Sequence, residues 1–182
     1  MQIAIEGLDR LGKDTLINNI IASVGYHSVI HYSKPIFPNS YSKDKTTALR
    51  EYQIDSFTNG FDICMSGGNV IFNRFHLGEY VYAHRYRNYS GKYIFDIEAQ
   101  YPTVCKNLNL ILLYTDNFDI MQDDGLSFDF SKRSEEMVDF TNAFENSQIV
   151  NKRMINVHDG NGGYKSRDTI LQEALTFLSR SV

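Results

Sequence analysis

The stretch that most constrains this chain lies at its front: Ile3-Ala4-Ile5-Glu6-Gly7-Leu8-Asp9-Arg10-Leu11-Gly12-Lys13-Asp14-Thr15. An apolar, β-type run stops at Gly7. Four residues separate that glycine from Gly12-Lys13, where a helical pattern begins. This is the strand, loop and helix of a phosphate-binding P-loop, Gly-x-x-x-x-Gly-Lys. The glycines let backbone N–H groups turn toward a polyphosphate, the helix adds its positive dipole end, and Lys13 adds a charge that reaches the β- and γ-phosphates. The competing reading, an ordinary glycine-rich strand-to-helix turn, lacks a reason for the lysine and for the context on both sides.

The residue after the lysine departs from the motif. A Ser or Thr hydroxyl usually holds Mg²⁺ there, and here the residue is Asp14, followed by Thr15. One reading has Asp14 hold the metal, directly or through a water, because a carboxylate is a good ligand for a hard cation. The other has Asp14 repel phosphate and leave the metal to Thr15 or other groups. Both stand at this point.

The 182 residues suffice for one domain with a sizeable core. With 42% hydrophobic and 22% charged residues the composition is that of a soluble globular protein. A net charge of −4 without a basic run argues against DNA or RNA as the main partner. No apolar run approaches membrane-spanning length, and the N-terminus reads as a strand rather than a signal peptide. Cys64 and Cys105 lack metal-ligand spacing and read as buried thiols of a reducing, cytoplasmic compartment.

Along the chain, periodicity predicts a helix over Lys13–Val24 ended by Gly25, a strand over Ser28–Tyr32, and a proline-containing loop through Ser42. A helical pattern covers Lys45–Met65, weakened or divided by Gly60. A short buried strand, Asn69–Arg74, follows, then helices over Leu77–Tyr86 and Tyr93–Ala99, the latter running to the Pro102 region. Leu108–Tyr114 is a further buried strand. Phe118–Phe130 resists assignment, Ser134–Asn146 is helical, Arg153–Val157 is the last strand and Arg167–Ser179 the closing helix. Strands alternating with helices give an α/β fold, here a three-layer α/β/α P-loop architecture with a mainly parallel sheet of about five strands and one domain over residues 1–182.

These residues together resemble one family. Glu6-Gly7-Leu8-Asp9-Arg10-Leu11-Gly12-Lys13 is similar to the P-loop of thymidylate kinases, and Asn73-Arg74-Phe75 to their Asp-Arg-Tyr at the end of the third strand. The short length and degenerate motifs resemble the phage-encoded deoxynucleoside monophosphate kinases, whose setting is the host cytoplasm. The resemblance implies transfer of the ATP γ-phosphoryl to a deoxynucleotide 5′-phosphate, dTMP or a modified pyrimidine such as 5-hydroxymethyl-dUMP, with Mg²⁺. Phosphoryl transfer of this kind needs two anions held in line with their charge neutralised.

The resemblance also implies residue roles. Lys13 and the backbone of residues 8–14 hold the ATP phosphates. Arg10 reaches the transferring phosphoryl, Asp9 accepts from the deoxyribose 3′-OH, and Arg74 grips the acceptor phosphate. Lys34 assists near a position where the family has an arginine, and Tyr82 lies against the sugar. Phe57 and Tyr52 are candidates to stack on the acceptor base, although rings at helical spacing also read as core. Arg85 and Arg87 face either the acceptor or solvent, and His76 and His84 read as non-metal. A lid over ATP falls at about 116–134, with Lys132 and Arg133 as its phosphate contacts; its usual early arginine is absent, with Gln122 at that place. The loop His158–Gly163 borders the adenine through backbone contacts. A homodimer is implied, through the helices around 45–65 and 77–87. Asn73 stands where the family has an Asp that arranges Mg²⁺, and the carboxylate of Asp14 is the candidate replacement for its charge. Three other functions remain: a deoxynucleoside kinase, which wants a carboxylate base after the second strand where Ser33-Lys34-Pro35 stands; a kinase of a modified base in DNA; and a nucleotide-binding protein with decayed catalysis.

Overall fold

The computed structural model describes residues 1–25, 27–32, 44–121 and 129–181. Lys34 and Gln122 lie outside the described residues. Three apolar runs form the centre of a parallel sheet: β1 (Gln2–Glu6), β3 (Val70–Asn73) and β4 (Asn109–Tyr114) are buried almost throughout. Such runs belong to strands covered on both faces. The more polar β2 (Ser28–His31) and β5 (Asn151–Asn156) form the edges. The strand order is β2-β3-β1-β4-β5, and every pair is parallel.

That order places the site. The chain passes from β3 to β4 across β1, so the connections after β1 and β4 leave in opposite directions. Ligands of open α/β sheets bind at the carboxyl ends of the strands beside such a switch point, and here the Gly7–Lys13 loop leaves β1 at that place.

Seven α-helices are described. α1 (Lys13–Val24) packs with α7 (Arg167–Leu178). α2 (Lys45–Met65) packs with α4 (Tyr93–Gln100) and α5 (Pro102–Asn107), while α3 (Leu77–Tyr86) joins α4 to α6 (Arg133–Asn146). The helices flank the five strands in three layers, α/β/α. Asp44 caps α2 by accepting from Thr46 N–H, and Ser166 caps α7 by accepting from Thr169 N–H.

Three expectations need correction. α2 is one helix of 21 residues and Gly60 does not divide it. A Cβ at Gly60 would lie 2.5 Å from a Phe75 ring carbon and 2.6 Å from the Tyr32 hydroxyl, which itself donates to Ser56 O. The glycine makes room for two aromatic rings instead of breaking the helix. Pro102 opens an additional helix, α5, rather than only ending α4, because proline suits a first helical turn whose N–H has no partner. β5 begins at Asn151, two residues earlier than Arg153.

Buried polar groups tie the helical layer together. His76 Nε2 lies 2.6 Å from Glu98 Oε1, and Glu98 also accepts from Ser147 Oγ at 2.6 Å and Gln148 N–H at 2.7 Å. Burial acts to raise the Glu98 carboxyl, but the bonds from His76, Ser147 and Gln148 outweigh it and hold the group below its usual range. Cys64 and Cys105 are free and buried, and burial pushes both thiols up to about 12. Among the described residues no helix is long and apolar enough to cross a membrane.

Candidate active site

The turn after β1 needs glycine for two separate reasons. Gly7 has φ 131°, and a Cβ there would come within 2.4 Å of Leu113 O on β4. The backbone can pass β4 only without a side chain. Gly12, at φ 83°, precedes the first turn of α1 and accepts from Leu16 N–H at 3.0 Å. Arg10 between them is also left-handed, with φ 71°, a conformation costly for a residue with a Cβ.

Lys13 spans the inside of this loop. Its Nζ donates to Gly7 O at 2.9 Å and Leu8 O at 2.6 Å, and lies 3.9 Å from Asp9 Oδ1. Burial, reinforced by the charge of Arg74, lowers Lys13 to about 8. A buried ammonium beside another cation is a group prepared for an anion.

A second corner, after β3, aims Arg74 at the loop. Arg74 is left-handed, φ 61°, and its N–H donates to Ile5 O at 2.9 Å. Glu6, fully buried at the end of β1, accepts from Phe75 N–H at 3.0 Å and Leu77 N–H at 2.9 Å through Oε1. Burial raises the Glu6 carboxyl despite the opposing effects of His76 and these two N–H groups. The corner so fixed lets the Arg74 guanidinium donate to Asp9 Oδ1. Sequence reasoning missed Glu6; its signal was a carboxylate ending an otherwise apolar strand.

Asn73, the last residue of β3, donates its side-chain amide to Asp14 Oδ1. The two departures from motif are therefore neighbours. Asn73 is 5% exposed and its Oδ1 is buried without a hydrogen-bond partner, whereas Asp14 is exposed and Thr15 half-buried. An orphaned amide oxygen beside a carboxylate is a hard-oxygen donor set that suits Mg²⁺, which takes one or two protein oxygens and completes its shell with phosphate and water. Among the described residues no group of three or more His, Cys, Asp or Glu side chains is placed to hold a metal alone.

Beside Asp9 and Arg74 opens a cavity of about 420 Å³. Tyr32 and the α2 residues Gln53 and Phe57 line one side; Gly78, Glu79 and Tyr82 of α3 line another; Phe130, Arg133 and Glu136 close a third. Phe57 and Tyr82 thus face the same chamber as Arg74. Tyr52 is 51% exposed and is not among its walls. Gln53 is 6% exposed and lines the chamber one helical turn before Phe57. That i, i+4 spacing could have revealed it. Glu79, at the chamber wall, accepts from Tyr93 OH at 2.8 Å, Tyr89 OH at 2.6 Å and the Arg87 guanidinium. Glu136 accepts from Tyr86 OH at 2.5 Å, and its burial raises its carboxyl.

The remaining candidates divide. Arg133 lines the chamber, donates to Phe130 O at 2.9 Å and lies 4.3 Å over the Phe130 ring. Lys132 is exposed, pairs with Glu135 at 2.9 Å and is not a chamber wall. Arg87 is a wall residue, whereas Arg85 bridges to Glu135 and Asp139 of α6. Tyr82 meets Phe140 edge-on at 5.9 Å, so α3 spends much of its apolar face on α6.

No family model and no curated protein sequence matches the chain. Solved structures do. YorR from Bacillus subtilis, determined in complex with phosphorylated GDP, superposes with a TM-score of 0.66 at 18% identity, covering 98% of this chain and 96% of that one. Thymidylate kinase from Ehrlichia chaffeensis gives 0.62 at 14% identity, covering 98% of each chain. Deoxyadenosine kinase from M. mycoides, with products dCMP and dCDP bound, gives 0.56 at 15% identity and covers 99% of this chain and 100% of that one. With a parallel five-stranded sheet, a glycine-bounded loop after its central strand and these neighbours, the chain has the fold of the P-loop nucleotide kinases.

Proposed function

We propose that the protein is an ATP-dependent deoxynucleoside monophosphate kinase, acting on dTMP or a modified pyrimidine monophosphate such as 5-hydroxymethyl-dUMP. The observation that carries this reading is the Asp9–Arg74 pair, which stands between the Lys13 loop and the adjoining chamber. A guanidinium at that junction suits an acceptor that already bears a phosphate.

The chemistry is an in-line displacement. An oxygen of the acceptor 5′-phosphate bonds to the γ-phosphorus of ATP, the bond from that phosphorus to the bridging oxygen breaks, and ADP leaves with the electron pair. Residues 8–14 cradle the donor phosphates, and Lys13 exchanges its loop carbonyls for phosphate oxygens. Arg10 reaches the transferring group. Arg74 is released from Asp9 to hold the acceptor phosphate in bidentate fashion, which frees Asp9 to accept from the 3′-OH. Phe57 packs on the base, Tyr82 fills the space of a 2′-OH, and Arg133 contributes a cation from the lid side. Asp14, Thr15 and the Asn73 amide oxygen would hold Mg²⁺, which when bound offsets charge on the β- and γ-phosphates.

A nucleoside acceptor is the rival reading, because its 5′-hydroxyl must lose a proton to a carboxylate. Glu79 is committed to three donors, and Asp9, once released by Arg74, is taken up by the 3′-OH of the acceptor. Measuring ADP release with thymidine beside dTMP separates the two readings: turnover on the monophosphate alone supports the proposal, and turnover on thymidine alone contradicts it.

A further inference from the structure

The loop after β5 is built more firmly than a backbone boundary to a base requires. Lys165 N–H donates to Val157 O at 2.7 Å, and His158 pairs with Tyr164 in an antiparallel bridge. Inside the loop, Asp159 Oδ1 accepts from Asn161 N–H at 2.7 Å and Gly163 N–H at 3.0 Å. Gly160 and Gly162, at φ 85° and 88°, supply the left-handed turns. His158 Nδ1 lies 2.9 Å from Asp116 Oδ1 at the end of β4, and Gly162 N–H donates to its Nε2 at 3.3 Å. With Nε2 accepting, the ring proton sits on Nδ1 and donates to Asp116.

From this anchored loop Tyr164 reaches past the end of β4 to the phosphate loop. Its hydroxyl donates to Arg10 O at 3.2 Å, while 42% of the residue stays exposed. The ring is thus fixed at both ends, by the bridge at its backbone and by the hydroxyl at its tip. It stands at the rim of the loop on the β4–β5 side, away from the Phe57 and Tyr82 chamber. A ring immobilised before a ligand arrives loses little entropy on stacking, and any base offers it a π-face.

We infer that Tyr164 is a stacking platform for the donor nucleotide's base, set beside the phosphate loop by its bond to Arg10. This rests on the reading of residues 7–15 as the donor phosphate site. The platform acts on the base, so its contribution is present for ATP and absent for inorganic tripolyphosphate, which has no base.

The test uses the full chain with Mg²⁺ and compares ATP with tripolyphosphate by calorimetry. Tyr164→Ala is expected to weaken ATP on the order of tenfold, with tripolyphosphate unchanged. Tyr164→Phe, which keeps the ring and removes the bond to Arg10, is expected to retain most of the ATP affinity. The chain contains no tryptophan, so Tyr164→Trp provides a single fluorophore, expected to be quenched by ATP and not by tripolyphosphate. Equal weakening of both ligands in Tyr164→Ala would overturn the inference and make Tyr164 a strut of the phosphate loop. No weakening of either would overturn it as well. If the unaltered protein bound neither ligand, the donor-site reading would fall, and the platform with it.

Discussion

Asn73, at the end of β3, donates its side-chain amide to the carboxylate of Asp14 in the first turn of α1. A neutral residue on the strand meets an acid on the loop helix, so the pair carries one negative charge, placed on the helix side. If that charge anchors Mg²⁺, Asp14→Ala should raise the Mg²⁺ concentration for half-maximal turnover about tenfold or more. The Mg²⁺ titration of the variant checks this, and an unchanged midpoint would contradict the role. Asp14→Ala combined with Asn73→Asp, which returns the charge from the other side, should recover part of the loss.

Arg74 is held in a left-handed corner by Ile5 O and by the Glu6 contacts to the two N–H groups beyond it. Its fork, and not only its charge, is the expected source of acceptor recognition. Arg74→Lys should therefore lower kcat/KM for the monophosphate about a hundredfold, while ATP binding changes little. Steady-state kinetics with each substrate varied separately will show whether the loss falls on the acceptor side.

Lys13 gives a pH dependence with a definite sign. Its pKa, lowered to about 8 by burial and Arg74, means that the ammonium is disfavoured in the folded, unliganded protein. Stability should therefore rise with pH between about 8 and the ordinary lysine value of 10.5, where the unfolded chain still binds the proton and the folded chain does not. Binding of a phosphate anion has the opposite dependence: it favours the charged form, so tripolyphosphate affinity should fall as pH rises above about 8. Lys13→Met should remove both trends, as followed by thermal melts and calorimetry across that range.

Gly60 tests the packing of α2. In an exposed helix, alanine in place of glycine stabilises by about 1 kcal/mol. Here the added Cβ collides with Phe75 and the Tyr32 hydroxyl, and overpacking costs about 1–3 kcal/mol. Gly60→Ala should be net destabilising in urea unfolding. Stabilisation would show that the two rings can move aside.

Local patterns made the architecture legible. The apolar runs 3–5, 70–72 and 110–113 became the central strands because parallel strands are covered on both sides. The bounds of α1 and α3 follow the predicted ranges. Contacts distant in sequence were not legible. Gly60 reads as a breaker until Phe75 and Tyr32 are seen beside it, and Glu6 reads as an ordinary strand-end acid until it accepts from residues 75 and 77. The motif residues Lys13, Asp9 and Arg74 were visible as candidates. The resemblance implied that Asp9 and Arg74 meet one acceptor; their direct pairing was not legible, since Arg74 reaches Asp9 through a corner whose left-handed backbone no residue type announces. Gln53 and Glu79 escaped notice because a buried polar side chain on a helix looks like a solvated one in sequence.

The central claim is that the chamber beside Arg74 receives a phosphorylated acceptor. The most direct measurement is ADP release from ATP and Mg²⁺ with dTMP, dUMP, 5-hydroxymethyl-dUMP, dCMP, dGMP and dAMP, each against thymidine. The account predicts turnover with at least one pyrimidine monophosphate, none with thymidine, and loss of that turnover in Arg74→Ala. Turnover with thymidine alone, or none with any acceptor while ATP still binds, would contradict it.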